Sequence, residues 1–264
     1  MTQHPNIRES RPEFANGAAM VVGGSGGIGS SICSALAQAG SHVALTYFSR
    51  KNAADIVAAN VLGEGRQSLV LQADLLDNAS VQGAVDAAIR RFGHLHSVVY
   101  AAGPPIEFAY INEIKSADWA RVINSDVNGC FNLIAATLPH FRERRSGTYL
   151  AVITAAVDRA PPRDILSAAP KAAIEMLLRG VAREEGRNGI RANCVGPGFI
   201  NAGLGLATTH EHTQDYVDRM IRAVPLKRAG TAREVADVAV FLLSEKASYV
   251  SGVTIPVAGG LQLA

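Results

Sequence analysis

The chain has 264 residues, 48% of them hydrophobic and 18% charged, with a formal net charge of +2. That length and apolar content fit one α/β domain around one large core. Scattered charges with no basic stripe argue against nucleic acid, and no apolar run is long enough to span a bilayer, which leaves a small molecule as the expected partner. The polar start, Met1 to Asn16 with Pro5 and Pro12, lacks the apolar centre of a signal peptide and reads as an extension, so the chain is expected to be cytoplasmic. Cys33, Cys130 and Cys194 show none of the close spacings of metal sites or disulfide frameworks. They are expected to be buried free thiols, with no metal site.

The chain is organised around Val21-Val22-Gly23-Gly24-Ser25-Gly26-Gly27-Ile28-Gly29, followed by Ser30, Ile32, Cys33, Leu36, Ala37 and Gly40. An apolar run that breaks into glycines and resumes at helical spacing predicts a buried strand, a tight turn and a helix. Glycine lets such a turn approach a pyrophosphate, whose charge the amides at the helix start attract. Taken alone, the pattern also fits an ordinary glycine-rich turn. Next come a strand at residues 43–47, a helix at 51–63, a strand at 68–71 ending in Ala73-Asp74-Leu75, and a helix at 80–91. A strand at 97–100 ends in Ala101-Ala102-Gly103, and residues 116–141 read as one long helix with Trp119, Val122, Ile123, Val127, Phe131, Leu133 and Ile134 on its apolar face. The pattern closes with a strand at 149–154, a helix at 167–187, a strand at 192–195, an irregular insertion, a helix at 232–243 and a strand at 254–257. This alternation predicts a doubly wound parallel sheet with helices on both faces, in a single domain over residues 1–264.

Gly23, Gly27 and Gly29, then Asp74, Ala102-Gly103, Lys171, Arg191-Ala192-Asn193 and Pro197-Gly198 form an ordered set that spans nearly the whole chain. In that set the chain resembles the short-chain dehydrogenases/reductases. The resemblance implies a Rossmann-type sheet binding a nicotinamide dinucleotide across its carboxyl edge. It implies that Gly23, Ser25, Gly27, Ile28, Gly29, Ser49, Arg50, Lys51, Asp74, Leu75, Ala101, Ala102, Gly103, Lys171, Pro197, Gly198 and Ile200 meet the cofactor. Asp74 would contact the adenine amino group and Lys171 the nicotinamide ribose. A homodimer or homotetramer is implied too, paired through the long fourth and fifth helices, with Gly252 and Ala258-Gly259-Gly260 similar to the segment the family uses in tetramers.

The end of the second strand selects the cofactor. NAD-preferring Rossmann proteins place a carboxylate there for the ribose hydroxyls, whereas an NADP site removes that charge and supplies cations. Here Tyr47 is followed by Phe48, Ser49, Arg50 and Lys51, which favours NADP(H).

The catalytic pattern departs from the family. Its members carry a tyrosine four residues before the lysine as acid or base, and here Ser167 stands in that place in Ser167-Ala168-Ala169-Pro170-Lys171. The family's serine aligns with Thr154, or one residue later at Ala155, and its helix asparagine with Asp126. A serine hydroxyl titrates too high to take over the phenol's role. The altered set, with Asp126-Val127-Asn128-Gly129-Cys130-Phe131-Asn132 and Pro197-Gly198-Phe199-Ile200, resembles the 2,4-dienoyl-CoA reductases of the peroxisomal type. That resemblance implies an aspartate and a lysine positioning a water as proton donor. The expected reaction is NADPH-dependent reduction of a conjugated double bond in an enoyl or dienoyl thioester such as an acyl-CoA. Thr154 and Ser167 would hold the developing oxyanion, and Asp126 and Lys171 would handle the proton.

Other readings stay open. Asp126 and Lys171 also fit a structural salt bridge. The chain could be a carbonyl reductase or alcohol dehydrogenase with its acid moved to Asp164 or Tyr149, an enzyme using the cofactor as a scaffold for isomerisation or dehydration, or a catalytically silent NADP-binding subunit. The insertion at about 199–228, opening with Gly203, Leu204, Gly205 and Leu206 and carrying Tyr216, Met220, Ile221 and Val224, is expected to close over the substrate. Arg219, Arg222, Lys227 and Arg228 could meet a phosphate-bearing carrier, and His210 and His212 read as neutral side chains rather than metal ligands.

Overall fold

Strands β1 (Ala18–Val22), β4 (Leu95–Tyr100) and β5 (Gly147–Val152) are buried along their whole length, as expected of strands covered on both faces. The computed structural model describes residues 13–202 and 214–263, without the side chains of 214–216. Most of the expected N-terminal extension, and Gly203, Leu204, Gly205, Leu206, His210, Glu211 and His212 of the insertion, lie outside the described residues, as does the side chain of Tyr216.

With β2 (His42–Tyr47), β3 (Ser68–Gln72), β6 (Ile190–Pro197) and β7 (Thr254–Val257), these strands form one parallel sheet of seven in the order β3-β2-β1-β4-β5-β6-β7. The order reverses between β1 and β4, so a crevice opens there at the carboxyl ends. Pro256 sits in β7, an edge strand, where a missing ladder donor is tolerated.

Alternate residues of each strand feed two cores. Val21, Leu45, Leu150 and Val195 face α1 (Gly27–Gln38), α2 (Lys51–Gly63) and the helix Ala232–Leu243. Met20, Val98, Tyr149 and Cys194 face α3 (Asn78–Phe92), α5 (Gly129–Arg144) and α7 (Ile165–Glu185). Asp77 caps α3 by accepting from Ala79 N at 2.9 Å. The helix Ala232–Leu243 starts on a capping box in which Thr231 N donates to Glu234 Oε2 at 2.8 Å and Glu234 N donates to Thr231 Oγ1 at 3.2 Å. A four-residue helix, α6 (Ala156–Arg159), precedes α7, and α8 (Gln214–Ala223) lies in the insertion, so Ala232–Leu243 is α9. No helix among the described residues is long and apolar enough to cross a membrane.

The long fourth helix differs from the expectation. It runs as α4 (Ser116–Ile123), a π-helical turn (Asn124–Asn128) and α5, with Gly129 N–H bonded back to Asn124 O. One extra residue in the turn rotates α4 relative to α5, so the expected apolar face is split. Val122, Leu133 and Ile134 are buried, whereas Trp119 is 40% and Phe131 56% exposed.

Two polar residues act at the other end of the sheet. Arg191 Nη1 donates to Leu242 O at 2.8 Å and Val250 O at 3.1 Å, and Nη2 to Ser244 O at 3.2 Å, so its guanidinium closes the carboxyl end of α9. His96 is buried between Ser41 Oγ and Ser97 Oγ, each 2.9 Å away, and stacks on Phe14. Burial pushes its imidazole down to about 3, so it is neutral. The three cysteines are buried free thiols.

Candidate active site

The glycine turn between β1 and α1 has the shape a dinucleotide needs. Gly23 has φ +79°, and a Cβ there would come within 2.7 Å of Ala101 O. A Cβ at Gly29 would meet Gly23 O at 2.3 Å, so the helix start packs against the turn. Any side chain at either position would clash with backbone and force the turn to shift. A Cβ at Gly26 would lie 3.8 Å from Arg50 Nη2, which places the guanidinium beside the turn. Lys51 instead pairs with Asp55 at 2.7 Å along its own helix. Ser25, Gly27 and Ile28 are part-buried, and Ser49 is exposed beside Arg50.

Further along the carboxyl edge, Asp74 Oδ1 accepts from Leu76 N at 2.9 Å, while Leu75 O accepts from Asn132 Nδ2 at 2.8 Å. Ala101 N donates to Val22 O at 2.9 Å, tying the end of β4 to β1. Pro197 O accepts from Ala155 N at 2.9 Å, and Gly198 N donates to Val257 O at 3.1 Å. Ile200 turns its side chain into the core, so it offers a ligand only its backbone.

The charged centre is assembled from β4, the π-helical turn and α7. Lys171 Nζ donates to Asp126 Oδ1 at 2.9 Å and to Ala102 O at 3.1 Å. The Asp126 side chain is 3% exposed and that of Lys171 12%, so the carboxylate is the buried member of the pair and the ammonium the one that reaches the crevice. A Cβ at Gly103 would lie 3.7 Å from Lys171 Nζ, so this glycine keeps the approach open. Tyr100, the last residue of β4, brings its hydroxyl to 2.8 Å from Asp126 Oδ1 and 3.0 Å from Asp126 O. Its ring lies under the Lys171 ammonium, 5.3 Å from Nζ to centroid. Burial first, and then the Asp126 carboxylate, hold the phenol well above its ordinary range, so it stays protonated and donates. Sequence reasoning did not find Tyr100, because only the folded sheet brings β4 beneath this turn.

Ser167 is half-buried on α7, one turn before Lys171, and its hydroxyl has no hydrogen-bond partner among the described residues. Thr154 Oγ1 accepts from Ala156 N at 3.1 Å, which leaves its proton to donate. The vacated tyrosine position is not filled by Tyr100, which lies buried beneath the pair. Nor is Tyr149 an alternative acid: it is buried in the core with its hydroxyl 2.8 Å from Thr137 Oγ1, and burial raises its phenol. Asp164 is different. It flanks the first residue of α7, its carboxylate makes no cap hydrogen bond, and burial pushes it up to about 7. Ser167 and Lys171, four residues apart, share one face of α7, and Asp164 stands at its N-cap.

A glycine cradle at the sheet's reversal point and a lysine on α7 fit an oxidoreductase, and the chain belongs to the short-chain dehydrogenase/reductase family. Residues 22–262 match the family described as enoyl-(acyl carrier protein) reductase. The chain is 32% identical over 248 residues to 3-oxoacyl-[acyl-carrier-protein] reductase FabG of Staphylococcus epidermidis, covering 94% of this chain and 100% of that one. An uncharacterized oxidoreductase of Methylorubrum extorquens is 30% identical over 249 residues, covering 92% of this chain and 97% of that protein. Among solved structures, levodione reductase superposes with a TM-score of 0.90 at 29% identity, over 95% of this chain and 99% of that one. A metagenomic blue fluorescent protein in complex with NADPH gives 0.83 at 30% identity, over 93% and 97%.

Proposed function

We propose that the chain is an NADPH-dependent reductase of acyl thioesters that acts on a carbon–carbon double bond conjugated to the thioester. The observation that carries this reading is the buried Asp126–Lys171 pair, 2.9 Å apart, beside a position where a serine replaces the family's phenol. The cradle at Gly23, Gly26 and Gly29 suits a pyrophosphate, and Arg50 beside it, with no carboxylate at Tyr47, suits a 2′-phosphate. A neighbour solved with NADPH agrees with that preference.

When bound, the reduced nicotinamide supplies a hydride to one end of the conjugated system. Negative charge then develops on the thioester oxygen as an enolate, and the hydroxyls of Thr154 and Ser167 donate to it. The proton goes to carbon rather than to oxygen, so no phenol is needed beside the oxygen. Lys171 faces the crevice and hands a proton to the substrate carbon through a water. Asp126, nearly inaccessible, holds the Lys171 side chain in place through its Oδ1. The insertion covers the acyl chain, and a homodimer or homotetramer would cover the exposed Phe131.

NADPH oxidation with a panel of enoyl, dienoyl and 3-oxoacyl thioesters tests this. Turnover of the alkenes that is lost in both Asp126→Ala and Lys171→Ala is the expected result, and turnover that survives both changes removes the proposed roles.

A second reading has its own support. Several relatives are 3-oxoacyl reductases, and Asp164, its carboxyl pushed up to about 7 by burial, could supply a proton to a carbonyl oxygen. Reduction of 3-oxoacyl thioesters that disappears in Asp164→Asn would select it. NADPH binding without turnover of any thioester would instead mark a silent subunit.

A further inference from the structure

We propose that Tyr100 is a positioning residue that holds the Asp126 carboxylate against Lys171, its hydroxyl and the Lys171 ammonium sharing one carboxylate oxygen. The inference rests on the reading above for the role of the pair, but its geometry stands without it. Tyr100 OH lies 2.8 Å from Asp126 Oδ1, and Lys171 Nζ lies 2.9 Å from the same atom. Both groups are donors, so each favours the ionised carboxylate.

The groups that face Asp126 are few. Lys171 comes from α7, Tyr100 from β4 and the Cys130 thiol from α5, and burial raises that thiol too far to carry charge at neutral pH. The carboxylate is therefore held by one cation and one neutral donor. The π-helical turn presents the Asp126 carbonyl to the same hydroxyl, 3.0 Å away, so the phenol grips both the side chain and the backbone of the residue it orients. The ring under the ammonium fixes Lys171 from below.

Tyr100 does not touch substrate, because it is 3% exposed. Its effect must pass through Asp126. Tyr100→Phe keeps the ring and removes only the hydroxyl, so the acid limb of the pH–rate profile should move up by about one pH unit, the size of one hydrogen bond to a charged group. The thioester KM should change less than about twofold, since a hydrogen bond outside the substrate contacts carries little uniform binding.

The test measures that profile, and the pH dependence of thermal unfolding of the cofactor-free protein, for the wild type, Tyr100→Phe, Asp126→Asn and the double variant. The expected result is a limb that moves in Tyr100→Phe, a matching shift in the unfolding profile, and no further change when Tyr100→Phe is added to Asp126→Asn. A ring-fluorinated tyrosine at position 100, a stronger donor of the same shape, should move the limb the other way. Unmoved profiles, or effects of Tyr100→Phe and Asp126→Asn that simply add, overturn the proposal. If no thioester is turned over, the proposed function fails while the unfolding profiles still decide the role of Tyr100.

Discussion

Removing one member of the Asp126–Lys171 pair should cost far more than its single hydrogen bond suggests. In Asp126→Ala the ammonium of Lys171, 12% exposed, keeps Ala102 O as an acceptor but loses its counter-ion. Tyr100 is not orphaned, since its hydroxyl still reaches the backbone carbonyl of residue 126 at 3.0 Å. The cost is therefore that of an uncompensated buried charge, about 3–5 kcal/mol, which in a domain of this size lowers the melting temperature by about 10 °C. Lys171→Met strands the carboxylate in the same way, with Tyr100 as its remaining donor. The double variant removes both charges and should be more stable than the sum of the two costs by about 2–3 kcal/mol. Urea unfolding of the cofactor-free protein, followed by circular dichroism, measures the cycle. Single variants that each cost less than about 1 kcal/mol, and that add, would show that the pair is solvated and that the burial argument fails.

Arg50→Ala should raise the KM for NADPH about 10- to 100-fold, the loss of one or two charge-assisted bonds to the 2′-phosphate, and leave that for NADH nearly unchanged; steady-state kinetics with both cofactors checks it. Arg191→Met should leave the carboxyl end of α9 with unpaired carbonyls and cost about 3 kcal/mol in urea unfolding, with cofactor affinity retained in the folded fraction. His96 is neutral in the fold at about 3 against an ordinary 6.5, so the unfolded chain takes up the proton first as pH falls. Stability is complete above the ordinary value and declines by about 1.4 kcal/mol per pH unit below it. His96→Gln should flatten that decline in urea midpoints taken between about pH 7 and 4.

The strands and the glycine turn were legible because apolar runs ending in glycine have few other solutions. The expected helix at 232–243 and strand at 254–257 match the structure at both ends. The start of β4 was missed, since Leu95-His96 carries a histidine that becomes apolar only when Ser41, Ser97 and Phe14 enclose it. The π-helical turn was also invisible, because a hydrogen-bond slip of one residue leaves no mark in composition. Asp126 and Lys171 were found through the family pattern, and the structure brings them together. Tyr100 had no local signal. Its partner is 26 residues away, and only the order of strands in the sheet makes them neighbours.

The π-helical turn also restricts how this protein can change. Each residue of a helix advances the chain by about 100°, so deleting one position between 124 and 128 would restore a regular helix while swinging everything upstream through more than a quarter of a circle. Trp119 would then be redirected and Asp126 carried away from its partner on α7. A length change harmless in a surface loop would here remove the charge pair, so apart from Asp126 this part of the chain can drift in side-chain identity far more readily than in length.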